Sequence, residues 1–357
     1  ARRRLRQLVG HLVVDAEDPA LATHLARAKA DGRRLNINLL GEAVLGENEA
    51  AARTERTRAL LDRPDVDYVS IKVSSLVSQL SHWDVQANVA RVLDRLRPLY
   101  RTAAAKNPAA FVNLDMEEYR DLDLTMAVFQ RLLDRPEFTG LEAGIVLQAY
   151  LPDSVAALQR LTAFAQQRVA RGGAPIKIRL VKGANLAMEK VEAELHGWAQ
   201  APYLTKEDVD ANYVRMLDLL LRPEVAAAVR TGVASHNLFD LALAYQLATA
   251  RGVNRAMDVE MLQGMAPAQA RAVAADVDTH GPLILYTPVV APKDFDVAVS
   301  YLVRRLEENA APENFVHAIF APHSGDEVGG SPMVEQEARF RASLAAAGTL
   351  SAEPRRS

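Results

Sequence analysis

The chain has 357 residues, of which 49% are hydrophobic and 24% charged, with a formal net charge of −3. This length accommodates one closed α/β barrel of about 250 residues with appended helices, and the charge balance excludes broad attraction to nucleic acid or anionic membranes. Cysteine is absent, which excludes disulfides, thiolate metal sites and cysteine nucleophiles. The sequence has no run of 18 or more apolar residues and no signal-peptide core at the amino end, so we expect a cytoplasmic protein.

The first segment, residues 1–32, is predicted to be a helical lead-in. A break at Asp18-Pro19 separates its two helices, and the second helix ends at Gly32. The first helix is indicated by apolar residues at helical spacing, namely Leu5, Leu8, Val9 and Leu12. After Gly32 one sequence pattern repeats. A short run of apolar or alternating residues ends in a polar residue, and a helix-forming stretch follows it. This alternation is typical of a parallel sheet with crossover helices.

Eight strands are predicted within residues 33–320, and eight is the number that closes a parallel barrel. The strands are predicted at 34–41, 68–74, 110–116, 142–149, 175–181, 230–235, 255–261 and 282–287. Helices are predicted at 49–62, 85–104, 119–134, 154–170, 186–199, 207–221, 238–250, 266–275 and 294–309. The last segment, residues 321–357, contains one more helix at 333–346 and ends as a linker. The predicted fold is therefore α/β, a parallel (βα)8 barrel with terminal helices.

Polar side chains recur on one face of several predicted strands. Successive side chains of a strand point to opposite sides, and the apolar face must meet the helices, so the polar face would line the barrel. The polar sets are Ser70, Lys72 and Ser74; Asn113, Asp115 and Glu117; Lys177 and Arg179; and Asp258 and Glu260. Barrel interiors are normally filled with branched apolar side chains, so the pattern indicates a polar ligand. The alternative is a set of paired charges that serve structure alone, which is costly over so many strands.

The last helix of the predicted barrel carries a second polar cluster. Its members stand at i, i+3, i+4 and i+7 and so share one face: Tyr301, Arg304, Arg305 and Glu308. Adjacent arginines can clamp a carboxylate because each guanidinium presents paired donors in a planar fork. A solvated face with surface ion pairs explains the same spacing, and this stretch alone leaves both interpretations open.

Short motifs limit the ways in which a cofactor can bind. Neither GxGxxG nor GxxxxGK[ST] occurs, so a dinucleotide would have to bind without a Rossmann site or a P-loop. Gly183 follows the fifth strand, where a glycine permits close approach of the backbone to a ligand. His236 is the one histidine placed at a strand end. Neither HxH nor HExxH occurs, and no metal site is predicted.

Several separate segments, in order along the chain, match one known family. They lie at residues 39–43, 69–74, 113–115, 148–150, 179–184, 235–237 and 301–305. Through them, residues 1–320 resemble the proline dehydrogenase domain of proline utilization A. The resemblance implies FAD-dependent oxidation of L-proline to 1-pyrroline-5-carboxylate, with hydride transfer to flavin N5, as the first step of proline catabolism to glutamate.

The resemblance also implies roles for individual residues. The cations that bind the substrate carboxylate would be Lys72, Arg304 and Arg305, and the acid that gates the pocket would be Glu42. The remaining pocket wall would be Asp115, Leu262, Tyr286 and Tyr301. The flavin contacts would be Gln148, Arg179, Lys182, Gly183, Ala184, Thr205, Lys206, His236, Asn237, Glu308 and Phe315, with Met116 and Glu260 joining them.

The chain departs from the family where an aromatic pair is common after the Lys-Gly-Ala run. It has Asn185 and Leu186 there, which predicts a roomier or more polar pocket. For partners, the resemblance implies a membrane quinone as electron acceptor, an aldehyde dehydrogenase domain after this segment, and no nucleic acid.

Two other functions stay open on the sequence alone. A Schiff-base aldolase could use a lysine at a strand end, and both Lys72 and Lys182 qualify. A non-catalytic barrel is the other, but it leaves the charged lining unexplained. If the chain is a dehydrogenase, both Asp115 and solvent are candidates for the base that takes the amine proton of the substrate.

Overall fold

The computed structural model describes residues 10–41, 44, 46–80, 84–277, 279–310, 314–320 and 332–356, with only the backbone of 307–310, 319 and 320. Within these ranges nine parallel strands are present: β1 (Val14–Asp15), β2 (Arg34–Leu39), β3 (Tyr68–Lys72), β4 (Phe111–Asp115), β5 (Ala143–Gln148), β6 (Ile176–Val181), β7 (Val229–Ala234), β8 (Met257–Leu262) and β9 (Ile284–Val290). Strands β2 to β9 pair in chain order, and β9 pairs with both β8 and β2, which closes an eight-stranded barrel. The predicted (βα)8 fold is confirmed.

Helices follow the barrel strands on the outside. Within the described ranges they are α1 (Ala20–Ala30), α2 (Glu47–Asp62), α3 (Val85–Ala104), α4 (Leu122–Leu133), α5 (Ser154–Ala170), α6 (Leu186–His196), α7 (Lys206–Leu220), α8 (Pro223–Ala226), α9 (Leu238–Ala250), α10 (Pro267–Asp276), α11 (Ala298–Ala310), α12 (Phe315–Phe320) and α13 (Pro332–Ala346). Short 3-10 turns lie at Val73–Ser75, Tyr119–Asp121, Pro136–Phe138, Asn254–Ala256 and Pro292–Val297.

The core lies between the outer face of the strands and the inner faces of these helices. Helix α3 shows why the sequence folds this way locally. Asp84 caps its amino end by accepting a hydrogen bond from the Ala87 amide at 2.9 Å. Its apolar positions recur every three or four residues and are buried: Val89, Val92, Leu93, Leu96, Leu99 and Tyr100. Burying such a stripe against the barrel fixes the position of the helix and leaves the strand ends to build the site.

One prediction for the lead-in was wrong. The helical spacing that ran to Leu12 does not continue as a helix, because Val14 and Asp15 form β1 and pair with Val289 and Val290. The physical reason is local burial, since Leu12 and Val13 pack with Val290 and the start of α11. The apolar residues at 5, 8 and 9 lie outside the described residues.

Strand β9 also extends further than predicted. The pattern ended it at Thr287, before a proline that has no N–H for the ladder. The strand continues to Val290 because β1 pairs with its last two residues and Pro288 lies opposite Asn38 of β2.

Charged side chains fill the barrel interior, as the polar parity of the strands predicted. In the lower layer, the Lys177 ammonium lies 2.7 Å from an Asp258 oxygen and 2.6 Å from a Glu260 oxygen, and Arg230 reaches Asp258 at 3.1 Å. Gly232 leaves room for this cluster, because a Cβ there would lie 2.5 Å from Glu260 Oε1. The lower charges therefore pair with each other, whereas the polar side chains above them face a cavity.

The C-terminal helix α13 packs on the barrel. Its Phe340 ring stacks on Phe239 of α9 with 5.4 Å between ring centres, and Arg215 of α7 donates to the Ala347 carbonyl at 2.7 Å. None of the helices in the described part of the chain is long and apolar enough to cross a membrane.

Candidate active site

A cavity of about 410 Å³ opens at the carboxyl ends of the barrel strands, where (βα)8 barrels carry their active sites. Most of the site residues expected from the sequence line it: Lys72, Asp115, Met116, Gln148, Arg179, Lys182, Gly183, Ala184, Lys206, His236, Asn237, Glu260, Leu262, Tyr286, Tyr301, Arg304, Arg305 and Phe315. Thr205 is not among the lining residues. Its hydroxyl instead caps α7 by accepting from the Asp208 amide at 3.1 Å, one residue before Lys206.

Two expected residues fall outside the description of side chains. Glu42 lies outside the described residues, and so does the side chain of Glu308. Their predicted roles, in gating and in flavin contact, stay predictions.

The three cations expected to bind a carboxylate line the cavity. Lys72, at the end of β3, pairs with a Glu117 oxygen at 2.7 Å. From α11, Arg304 donates to the Asn185 amide oxygen at 2.9 Å, and the Arg305 guanidinium lies over the Tyr301 ring, 5.1 Å from its centre. Lys72 at the strand end and Arg304 and Arg305 on α11 thus all line the cavity. That they clamp a carboxylate stays a prediction.

Glu117 was missed as a site residue, although the parity of β4 had placed it on the polar face. It lines the cavity, and its carboxylate contacts Lys72 and the Ser74 hydroxyl. Its backbone carbonyl accepts from the Gln148 amide at 3.2 Å and from Asn185 at 2.8 Å. The signal that could have found it is its position two residues after Asp115 on the same face.

The Asp115 carboxylate is saturated with hydrogen bonds. One oxygen accepts from Arg179 at 2.6 Å and Asn113 at 3.0 Å. The other accepts from Tyr286 at 2.8 Å and Asn38 at 3.0 Å. Burial, with the Asp115 charge beside it, raises the pKa of Tyr286 well above its ordinary value, so the phenol stays protonated and donates.

A second set of charges lies at Lys182, which also lines the cavity. The Lys182 ammonium lies 2.7 Å from Asp210 and 2.9 Å from Asp240. Burial lowers the pKa of Lys182, but the two carboxylates outweigh it and the pKa is raised. Lys182 is therefore a fixed positive charge beside the cavity.

The turn after β7 presents a neutral histidine to the cavity. The Leu262 amide donates to His236 Nε2 at 2.9 Å, so Nδ1 carries the ring proton. Burial, with the positive charge of Arg305, lowers the pKa of His236 to about 4. Nδ1 is buried and has no hydrogen-bond partner among the described residues. Such a buried donor is costly unless a ligand accepts from it.

Gly183 brings backbone to the cavity surface. Its φ of +133° lies in a region that other residues avoid, and a Cβ there would lie 2.4 Å from the Tyr150 ring. The glycine predicted for close approach of a ligand is therefore required by the fold at this position.

The fold and the cavity together define a (βα)8-barrel protein with a ligand site rich in cations at its carboxyl face. The family model for proline dehydrogenase matches residues 21–318, and the chain belongs to the proline dehydrogenase family.

Individual relatives agree with this assignment. The chain is 29% identical over 334 residues to the bifunctional protein PutA of Escherichia coli (strain K12), covering 88% of this chain and 24% of that protein. It is 27% identical over 274 residues to the proline dehydrogenase of Deinococcus radiodurans, covering 74% of this chain and 77% of that protein. The solved structure of proline utilization A from Corynebacterium freiburgense matches with a TM-score of 0.88 at 59% identity, covering 99% of this chain and 34% of that one. The chain therefore spans about a quarter to a third of its bifunctional relatives.

Proposed function

We propose that this chain oxidises L-proline to 1-pyrroline-5-carboxylate with bound FAD, the first step of proline catabolism to glutamate. The observation that carries the proposal is that Lys72, Arg304 and Arg305 line one cavity, where they would form a clamp for an anion, in a member of the proline dehydrogenase family. A small amino acid needs such a clamp because its carboxylate is its one permanent anion, and charged hydrogen bonds fix orientation as well as affinity.

The clamp is poised to receive an anion. Among the described residues, the hydrogen-bond partner of the Arg304 side chain is the neutral amide of Asn185, so its charge is not cancelled by a carboxylate there. Lys72 shares its charge with Glu117, and both side chains are 18% exposed. Among the described side chains, which do not include those of Glu42 and Glu308, no carboxylate competes with a substrate for Arg304.

The cavity residues fit a flavin. The buried donor at His236 Nδ1 and the fixed charge of Lys182 suit a large ligand with polar ring atoms. The residues that would hold FAD are Gln148, Arg179, Lys182, Gly183, Ala184, Lys206, His236, Asn237 and Phe315. When bound, FAD would supply the two-electron oxidation by accepting a hydride from the substrate.

The hydrogen bonds at Asp115 bear on where the amine proton goes. A carboxylate offers about four lone-pair positions, and four donors occupy those of Asp115. Asp115 therefore orients Arg179 and Tyr286, and it has no free lone pair for a substrate proton. This favours solvent, the other candidate, as the proton acceptor.

The aldolase alternative conflicts with the state of the lysines. A Schiff-base lysine must lose its proton, which requires a lowered pKa. The pKa of Lys182 is raised by its two carboxylate partners, and Lys72 is held in an ion pair with Glu117.

The proposal extends to partners. We propose that a membrane quinone reoxidises the flavin, that the protein acts in the cytoplasm, and that an aldehyde dehydrogenase domain accompanies this segment in its native chain. The last point is supported by relatives named as bifunctional, of which this chain spans about a quarter.

A turnover assay tests the function. Purified protein supplied with FAD should reduce a soluble electron acceptor when L-proline is added and should form the cyclic imine product. Borohydride added with substrate should leave no covalent adduct. If the electron acceptor is not reduced and an adduct forms on Lys72 or Lys182, the protein is an aldolase instead.

A further inference from the structure

Asn185 has unusual hydrogen-bond partners for an asparagine at the start of a helix. It immediately precedes α6 and lines the cavity. An asparagine there commonly accepts a hydrogen bond from an amide of the first helical turn, which stabilises the helix. The Asn185 side chain makes no such bond. Instead, its amide nitrogen donates to the Glu117 carbonyl at 2.8 Å and its amide oxygen accepts from Arg304 Nη1 at 2.9 Å.

The Glu117 end of this bridge is firmly held. The same carbonyl accepts from Gln148 at 3.2 Å. The Glu117 carboxylate contacts the Lys72 ammonium and the Ser74 hydroxyl, at the end of β3. Glu117 therefore connects the two sides of the clamp, contacting Lys72 directly and Arg304 through Asn185.

The chemistry of the bridge suits an arginine that must bind an anion. A free arginine side chain loses rotamer entropy when it is fixed, and holding it beforehand removes part of that cost from binding. A carboxylate in place of the amide would also hold the arginine, but it would compete with the substrate for the same charge. A neutral amide oxygen holds one N–H and leaves the charge and the other donors available.

We infer that Asn185 is a positioning residue, which presets Arg304 for the carboxylate of the substrate through its bridge to Glu117. The inference rests on the proposed function, because it takes the ligand of Arg304 to be the proline carboxylate.

The test is a double-mutant cycle of Asn185→Leu and Arg304→Met in the holoenzyme. Leucine has a similar size and shape but makes neither hydrogen bond. We expect Asn185→Leu alone to raise the KM for L-proline and the Kd for tetrahydrofuroic acid, an anionic ring analogue, roughly tenfold, with kcat changed less than about twofold. In the Arg304→Met background, the same substitution should change the Kd less than about twofold. The Kd is measured by calorimetry, independently of turnover.

Two further variants sharpen the result. Asn185→Asp should weaken binding of the analogue more than Asn185→Leu does, because the new carboxylate pairs with Arg304 and repels the ligand. Met188→Ala, on the exposed surface of the same helix, should leave both constants unchanged. An equal loss of affinity from Asn185→Leu in both backgrounds, or wild-type affinity in Asn185→Asp, overturns the inference.

The wild-type protein separates this inference from the proposed function. If it neither oxidises proline nor binds the analogue, the proposed function fails and the inference fails with it. If wild type is active and Arg304→Met weakens binding while Asn185→Leu acts additively with it, the inference alone fails.

Discussion

Replacing Arg304 with methionine should weaken proline binding roughly ten- to a hundredfold, because a hydrogen bond to a charged group contributes about 1.5–3 kcal/mol. The effect should fall mainly on the KM for proline, since Arg304 contacts the carboxylate rather than the reacting carbon in this account. Arg305→Met should weaken binding to a similar degree. It should also lower turnover and the retention of FAD, because the resemblance to the family implies that Arg305 contacts the flavin as well as the carboxylate.

The measurements are steady-state kinetics with L-proline and inhibition by ring analogues. Tetrahydrofuroic acid, which carries the carboxylate, should compete with proline in the wild-type protein, whereas pyrrolidine should not. Arg341→Met is the control, because Arg341 forms an exposed ion pair with Glu337 on α13. Unchanged apparent affinity in both clamp variants would place Arg304 and Arg305 on a solvated helix face instead.

Lys177→Met should have the largest effect on stability, lowering the free energy of unfolding by about 3–5 kcal/mol, the usual cost of removing one partner of a buried ion pair. Lys177 is 1% exposed, and its partners Asp258 and Glu260 are 3% and 2% exposed. Burial raises the pKa of Asp258, but the charges of Lys177 and Arg230 outweigh it and hold the pKa below its ordinary value. Without Lys177, the two carboxylates would stay buried with less positive charge beside them to offset their loss of hydration.

The loss should depend on pH with a definite sign. In the wild-type protein the lowered pKa of Asp258 contributes stability at neutral pH, and this contribution is lost as the pH falls through the folded-state pKa. In the variant the buried, ionised carboxylates destabilise the folded state, and protonating them at lower pH reduces that destabilisation. Urea unfolding should therefore show a larger difference between the two proteins at pH 7 than at pH 5.

Two comparisons identify the cause of the instability. Arg160→Met removes an exposed ion pair with Asp123 and should cost less than about 1 kcal/mol. Adding Asp258→Asn and Glu260→Gln to Lys177→Met should restore part of the lost stability, because no buried carboxylate is then left without its lysine. A loss for Lys177→Met no larger than that for Arg160→Met would contradict this account of the barrel interior.

The barrel could be predicted from sequence because its signals are local. Each of the eight barrel strands is a short apolar or alternating run next to a helical stretch, and helices such as α3 and α5 were predicted with the observed bounds. The two residues of β1 carry no such pattern. They form a strand only because the closed barrel offers β9 as a partner, and that partner lies more than 270 residues away in the chain.

Most of the residues that line the cavity could be predicted from the sequence. Which of them form ion pairs or hydrogen bonds with each other could not. Strand parity pointed to a polar interior and the resemblance named most of the lining residues. Which charges would neutralise each other depends on register and side-chain direction across the closed barrel. The partners of Asn185, for example, are separated from it by 68 and 119 positions in the chain, and nothing in the local sequence connects them.

The anaerobic visible spectrum of the purified protein tests the central claim most directly. After incubation with FAD and removal of the unbound cofactor, the protein should show the absorption bands of an oxidised flavin. Adding L-proline in the absence of oxygen should bleach them, since the electrons of the substrate have no other acceptor. A protein that stays colourless after FAD is supplied, or a bound flavin whose spectrum proline leaves unchanged, would contradict the assignment.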